Sequence, residues 1–122
     1  MASALNWFEI SVADMDRALK FYNTILGTAM TADEQMPGFK MAMFPVDEGG
    51  IGGALLQGEG YVPSMTGTVV YLNGGDDLAP ILGKVEAAGG KVLGEKMDIG
   101  EYGFVGYFAD TEGNKLGLHS MG

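Results

Sequence analysis

The feature that most constrains this chain is that it repeats its own order of elements. A strand pattern, a helix pattern and three more strand patterns fill the first half. The same order returns roughly 60 residues later. A unit of that kind has one amphipathic helix to cover one face of a small, mostly antiparallel sheet. Two such units predict an α+β protein with helices on the outer face of curved sheets, whose other faces are free to curve around a ligand. A ferredoxin-like domain is the competing arrangement, but it needs fewer strands after each helix.

The first unit opens with residues 6–12, where Phe8, Ile10 and Val12 alternate with Trp7, Glu9 and Ser11, the period of a strand. Asp14 then stands where a helix N-cap is expected, and Asp16 places negative charge in the first turn. Met15, Ala18, Leu19, Tyr22, Ile25 and Leu26 recur at helical spacing, and Gly27 suits a left-handed C-cap. Strands are expected over residues 28–33, 39–44 and 51–57, separated by the turn formers Pro37-Gly38 and Asp47-Glu48-Gly49-Gly50. In the second unit, residues 68–72 read as a strand. Asp76 or Asp77 can cap a helix whose face is Leu78, Ile81, Leu82, Val85 and Ala88, with Gly83 a weak point inside it and Gly89-Gly90 its end. Strands are expected over residues 91–93, 102–109 and 115–120, the last two joined by a turn at residues 110–114. Module one spans about residues 4–58 and module two about 66–121 of a single domain.

Composition narrows the function classes. With 122 residues, 47% of them hydrophobic, the chain can build one core. No apolar run approaches the ~20 residues of a membrane span, and residues 1–6 lack the basic and apolar regions of a signal peptide. There is no cysteine, which excludes disulfides and zinc-thiolate sites and makes a cytoplasmic location the expectation. A net charge of −9 with seven dispersed Lys and Arg repels phosphate backbones, so no nucleic-acid partner is expected; the charge reads as a solvated acidic surface, with attraction of cationic ligands as the alternative. The 21 glycines, spread along the chain, imply many tight turns and close backbone approaches. Gly49-Gly50 and Gly52-Gly53 lack the order of a phosphate loop, and no Ser-His-Asp or Cys-His arrangement is visible.

Two stretches carry a family resemblance. The first runs Trp7-Phe8-Glu9-Ile10-Ser11-Val12-Ala13-Asp14-Met15-Asp16-Arg17-Ala18, followed by Phe21-Tyr22 and Leu26-Gly27. The second comprises residues 85–92 and the ending Phe108-Ala109-Asp110-Thr111-Glu112-Gly113-Asn114-Lys115-Leu116-Gly117-Leu118. The chain resembles the vicinal oxygen chelate superfamily of glyoxalases, bleomycin-resistance proteins and extradiol dioxygenases, nearest to proteins related to lactoylglutathione lyase. The resemblance implies paired βαβββ modules, a small-molecule ligand and a homodimer with both first strands near the two-fold axis. It also implies one divalent metal held from the first and last strands of each module. The matching positions here are Trp7, Gly53 or Ala54, Gly67 and Gly117, none of which offers a side-chain donor. The expectation is therefore no metal cofactor and no glyoxalase I activity.

Strand alternation then names what lines the cavity. Glu9 and Ser11 share Trp7's face, Val69 and Tyr71 share Gly67's, and His119 shares Gly117's. Glu9 is a pocket acid or cation anchor, or else a dimer-edge residue. His119, the sole histidine, is a general base, a lone metal ligand or a plain polar lining residue. Trp7, Tyr71, Tyr102 and Phe104 are candidates for an aromatic wall, and glycines at Gly53, Gly67 and Gly117 leave room for a bulky ligand. The methionines offer an adaptable lining or core filling. Residues 97–103, with hinges at Gly100 and Gly103, are a lid or a plain connection. The leading reading is a metal-independent small-molecule binder. The rival is a lyase or isomerase acting on a small carbonyl compound through Glu9 and His119. A metal held by Glu9, His119 and waters is a third possibility.

Overall fold

The computed structural model describes residues 2–122 and confirms the duplicated order. Module one is β1 (Trp7–Ser11), α1 (Met15–Leu26), β2 (Ala32–Met36), β3 (Phe39–Met43) and β4 (Gly52–Gln57). Module two is β5 (Val70–Asn73), α2 (Ala79–Leu82), β6 (Lys91–Asp98), β7 (Phe104–Ala109) and β8 (Lys115–Ser120). Each module builds a four-stranded sheet, ordered β1-β4-β3-β2 and β5-β8-β7-β6. The first strand of each runs parallel to its neighbour, and the other pairs are antiparallel.

Helix α1 forms as its caps dictate. Asp14 is extended and its carboxylate accepts from Arg17 N, while Gly27 adopts φ 66° and closes the last turn onto Asn23 O. Its buried face is Met15, Ala18, Phe21, Tyr22 and Ile25. Phe21 packs on Phe108 of β7 with ring centroids 5.9 Å apart, so α1 touches both sheets. The helix-covered faces of the two sheets thus share one core, with Ile10, Ala42, Phe44 and Leu55 from one and Leu72, Phe108, Leu116 and Leu118 from the other. The opposite face of each sheet stays open, carrying Trp7, Met41 and Met43 on one and Tyr71 and Met97 on the other as exposed apolar side chains.

Several elements depart from the expectation: β5 and β7 each begin two residues late, and the strand expected over residues 91–93 runs on to Asp98. The strand expected over residues 28–33 is shifted to Ala32–Met36, because the Asn23 side chain holds residues 28–30 as a loop. Its Oδ1 accepts from Thr28 Oγ1 and Met30 N, and its Nδ2 donates to Met30 O. The second helix is one turn long. Gly83 N–H still bonds Ala79 O, but Lys84 and Val85 fall back to Ile81 O and Leu82 O three residues earlier, so the chain continues in tight turns. Leu78, Leu82 and Val85 are buried all the same. Residues 97–103 are tied down: Met97 and Asp98 end β6, Ile99 N donates to Gly103 O, Gly103 N to Gly100 O and Gly100 N to Asp98 Oδ1.

The turn at residues 110–114 joins the modules. Asp110 Oδ1 accepts from Glu112 N and Asn114 N, and its Oδ2 accepts from the buried Tyr22 hydroxyl at 2.6 Å. Asn114 Nδ2 donates to Ser11 O, and Asn114 Oδ1 accepts from Ser64 N. Glu112 accepts from Ala13 N and Asp14 N, the approach to α1, and from the Arg17 guanidinium.

Candidate functional site

The open face of the first sheet forms a cleft of about 820 Å³. Pairing lays out its floor in two rows: Glu9, Ala54 and Met43, then Leu56, Met41 and Asp33. Met36 and Phe39 extend it, residues 28–31 and Pro45 wall it, and Tyr61 closes over Phe39 in an edge-to-face contact at 6.2 Å. The lining is mainly aliphatic, aromatic and thioether. Its charged members are Glu9 and Asp33. Glu9 Oε2 accepts from Trp7 Nε1 at 3.2 Å, two residues along the same face of β1.

Of the residues singled out from sequence, Trp7 lies on this open face with its ring over Gly52, where an added Cβ would meet it at 3.0 Å. Ser11 shares the face at the end of β1, half-buried. Gly53 does not: it faces the helix side beneath the Phe8 ring, and its neighbour Ala54, opposite Glu9, is the open-face residue. Gly67 also departs, lying in a bend before β5 at φ 93°. Val69 sits half-buried one residue before that strand. Tyr71 is on the open face of the second sheet, its ring over Gly117, repeating the Trp7–Gly52 arrangement. The Tyr71 and Tyr107 hydroxyls are 2.5 Å apart, and this hydrogen bond, with some burial, raises the Tyr71 phenol above its ordinary value.

His119 stands on the same open face as Tyr71, paired with Asn73 and Val105. Its Nε2 is 2.6 Å from the Tyr102 carbonyl oxygen. A carbonyl only accepts, so Nε2 carries the proton and Nδ1 is the acceptor of the neutral ring. Tyr102 itself points into solvent, 70% exposed. Phe104 turns to the helix side, packed against the core beneath Lys96 Nζ. Within one chain the cleft therefore contains Glu9 but not His119, which belongs to the other sheet.

The family's metal does not fit this donor set. Of the matched positions, Trp7, Ala54 and Gly117 lie on open sheet faces and offer no side-chain oxygen, nitrogen or sulfur suited to a divalent ion, while Gly67 lies off the strand altogether. Among the described residues no group of three or more His, Cys, Asp or Glu converges. Sequence reasoning offered the methionines as a lining or as core filling but did not say which of them form the floor. The signal was the alternation of Phe39, Met41 and Met43, which puts all three on one face. It also missed Glu112 as a junction, since a charged turn residue reads as solvated.

The profile of the Glyoxalase/Bleomycin resistance protein/Dioxygenase superfamily matches residues 4–118. The chain belongs to that superfamily. No curated protein matches it. Among solved structures it is similar to a glyoxalase/bleomycin resistance protein from Streptomyces sp. CB03234, at 22% identity over 95% of this chain and 99% of that one, with a TM-score of 0.70. An antibiotic-binding protein from the same organism matches at 22% identity over 100% and 99% of the two chains, with a TM-score of 0.68. Glyoxalase I from Zea mays matches at 19% identity over 94% of this chain and 43% of its own, with a TM-score of 0.72. No helix among the described residues is long and apolar enough to cross a membrane.

Proposed function

We propose that this chain is a metal-independent, small-molecule-binding protein of the glyoxalase and bleomycin-resistance type, working in the cytoplasm as a homodimer. The observation that carries the reading is the apolar cleft of about 820 Å³ on a sheet face where the family's metal donors are missing. Its size suits a drug-sized molecule, and it has one polar anchor at Glu9 and another at Asp33. The antibiotic-binding structure of the same fold supports it by analogy.

The dimer rests on two features. The first strands β1 and β5 are both sheet edges, with backbone groups available for pairing. Each open face also exposes large apolar side chains that a second copy can cover. A pair formed through these faces would set the open face of one copy's second sheet, which carries His119, against the open face of the other's first sheet, which carries Glu9.

That geometry also frames the second reading, a lyase or isomerase acting on a carbonyl compound. The Nε2–H bond to Tyr102 O leaves Nδ1 of His119 as an acceptor, as a general base requires. Native mass spectrometry of protein purified without chelator tests the proposal. We expect a dimer mass, binding of added small molecules and no stoichiometric metal. One metal per subunit, together with isomerisation of a glutathione hemithioacetal, would overturn it.

A further inference from the structure

We propose that the cleft of the first sheet takes an elongated, apolar organic cation with its charged end at Glu9. This rests on the reading of the cleft as the ligand site and names the class of ligand. Three observations converge. The floor is built from Met41, Met43 and Leu56, with Met36 beside them, side chains that adapt to bulky and irregular apolar bodies. Within one chain the charged residues of the lining are both acids, Glu9 and Asp33, and among the described residues no Lys, Arg or His of that chain lines the cleft. The chain as a whole carries −9, so its overall field favours the approach of cations over anions.

The sheet order gives the ligand its shape. Glu9 is on the edge strand β1 and Asp33 on the opposite edge strand β2, with β4 and β3 between them. Three strand spacings of ~4.8 Å put the two backbones about 14 Å apart, with thioether and leucine side chains across the gap. A compact cation meets one acid and leaves the apolar floor uncovered. A neutral apolar molecule covers the floor and gains nothing from the acids. An anion is disfavoured at both ends. An extended apolar body with a positive end uses floor and Glu9 together, and a second positive group reaches toward Asp33.

Three dyes separate the outcomes: cationic rhodamine 6G, anionic fluorescein on the same ring system, and neutral Nile red. Binding to the intact chain is read by dye anisotropy and by quenching of Trp7, the sole tryptophan, which bonds Glu9. We expect rhodamine 6G to bind at least about tenfold tighter than fluorescein. Glu9 is exposed, so Glu9→Gln should weaken rhodamine 6G by about three- to fivefold, with Asp33→Asn adding to the loss and Nile red unaffected. Met43→Lys, at a 54% exposed floor position, should reverse the preference toward fluorescein. Equal binding of the two charged dyes, or rhodamine 6G affinity unchanged in Glu9→Gln, overturns the proposal. If Nile red still binds and is displaced by Met43→Trp filling the floor, the cleft remains a ligand site and only the choice of a cation has failed. If no dye binds, or Met43→Trp with an unaltered melting curve changes none of them, the reading of the cleft falls as well.

Discussion

Arg17 grips Glu112 with two N–H···O bonds, Nε to Oε2 at 2.7 Å and Nη2 to Oε1 at 2.9 Å, between residues 95 positions apart. The carboxylate is fully buried, while half of the guanidinium side chain is in solvent. Glu112 also receives Ala13 N, Asp14 N and Thr111 Oγ1. One acid of module two thus satisfies the backbone that leads into the helix of module one. It explains the resemblance motifs in physical terms: the Arg of the first stretch and the acidic turn of the last are two halves of one junction.

Glu112→Gln keeps the shape but replaces charge-assisted bonds with neutral ones and turns an amide N–H₂ toward donors. The expected loss is about 1–3 kcal/mol of unfolding free energy, read from urea melts. Arg17→Gln leaves the buried carboxylate with its backbone donors only and should also destabilise. A change under about 0.5 kcal/mol in both variants would contradict this account of the junction.

The same residue shapes the acid limb. Burial pushes the Glu112 carboxyl up, but the bonds from Arg17, Asp14 N, Thr111 and Ala13 N together outweigh it and hold the group below its ordinary value of 4.5. A depressed folded value means the unfolded state binds the proton more readily. The stabilisation is therefore full above the unfolded value and is lost as pH falls through the folded one. Stability measured from neutral pH down to acid should fall below about pH 5, and Glu112→Gln should flatten that part of the curve.

Tyr22→Phe removes the 2.6 Å bond to Asp110 Oδ2 inside the core and should cost about 1–2 kcal/mol. Burial first, then the Asp110 charge and hydrogen bond, raises this phenol well above its ordinary value. In an alkaline absorbance titration Tyr22 should stay protonated until the chain unfolds. Reversible ionisation in the folded protein would speak against the buried pair.

The modules and their order were legible because Phe8, Ile10 and Val12 alternate and because Asp14 and Gly27 bracket a clean helical stripe. Local signals failed where a side chain far along the chain decides. Asn23 reaches past its own helix to hold Met30, and β2 starts later than its own residues suggest. The second helix shows the converse: Leu78, Leu82 and Val85 reach the core at helical spacing while the backbone between them has loosened at Gly83. For the site, alternation from Trp7 puts Glu9 on the open face of β1, and Glu9 is among the residues that line the cleft there. Gly53 and its neighbours carry no such signal, since adjacent glycines give alternation nothing to read, and the structure gives the open face to Ala54 instead. Phe104 falls to the helix side because it shares the alternation of the buried Phe108, four residues on, and pairs with the buried Ser120.

Glu9→Gln and His119→Gln separate binder from enzyme. Neither residue is in the shared core, so melting curves should barely move. In a binder both changes weaken ligand affinity only modestly. In an acid–base enzyme His119→Gln lowers turnover by ~10²–10⁴-fold with binding intact. Assays with glutathione hemithioacetals should show no isomerisation by the unaltered protein, with or without added Ni or Zn. Measurable turnover that follows added metal would reverse that expectation.

Sedimentation at micromolar concentration should give a dimer. Because the contact is expected to use the open faces, Tyr71→Glu, at a 48% exposed position, should shift the equilibrium toward monomer without altering the fold by circular dichroism. A monomer in the unaltered protein would leave Glu9 and His119 apart.

The shared core also sets an order of events during synthesis. Module one repeats the element order of module two, yet Phe21 of α1 packs on Phe108, and Tyr22 bonds to Asp110. As the chain leaves the ribosome, the first module emerges complete in its own strands but with one side of its helix bare. It must wait for nearly all of the second before that side is covered. The order of elements repeats, but the surface that covers α1 is complete only once β7 and the closing hairpin are in place.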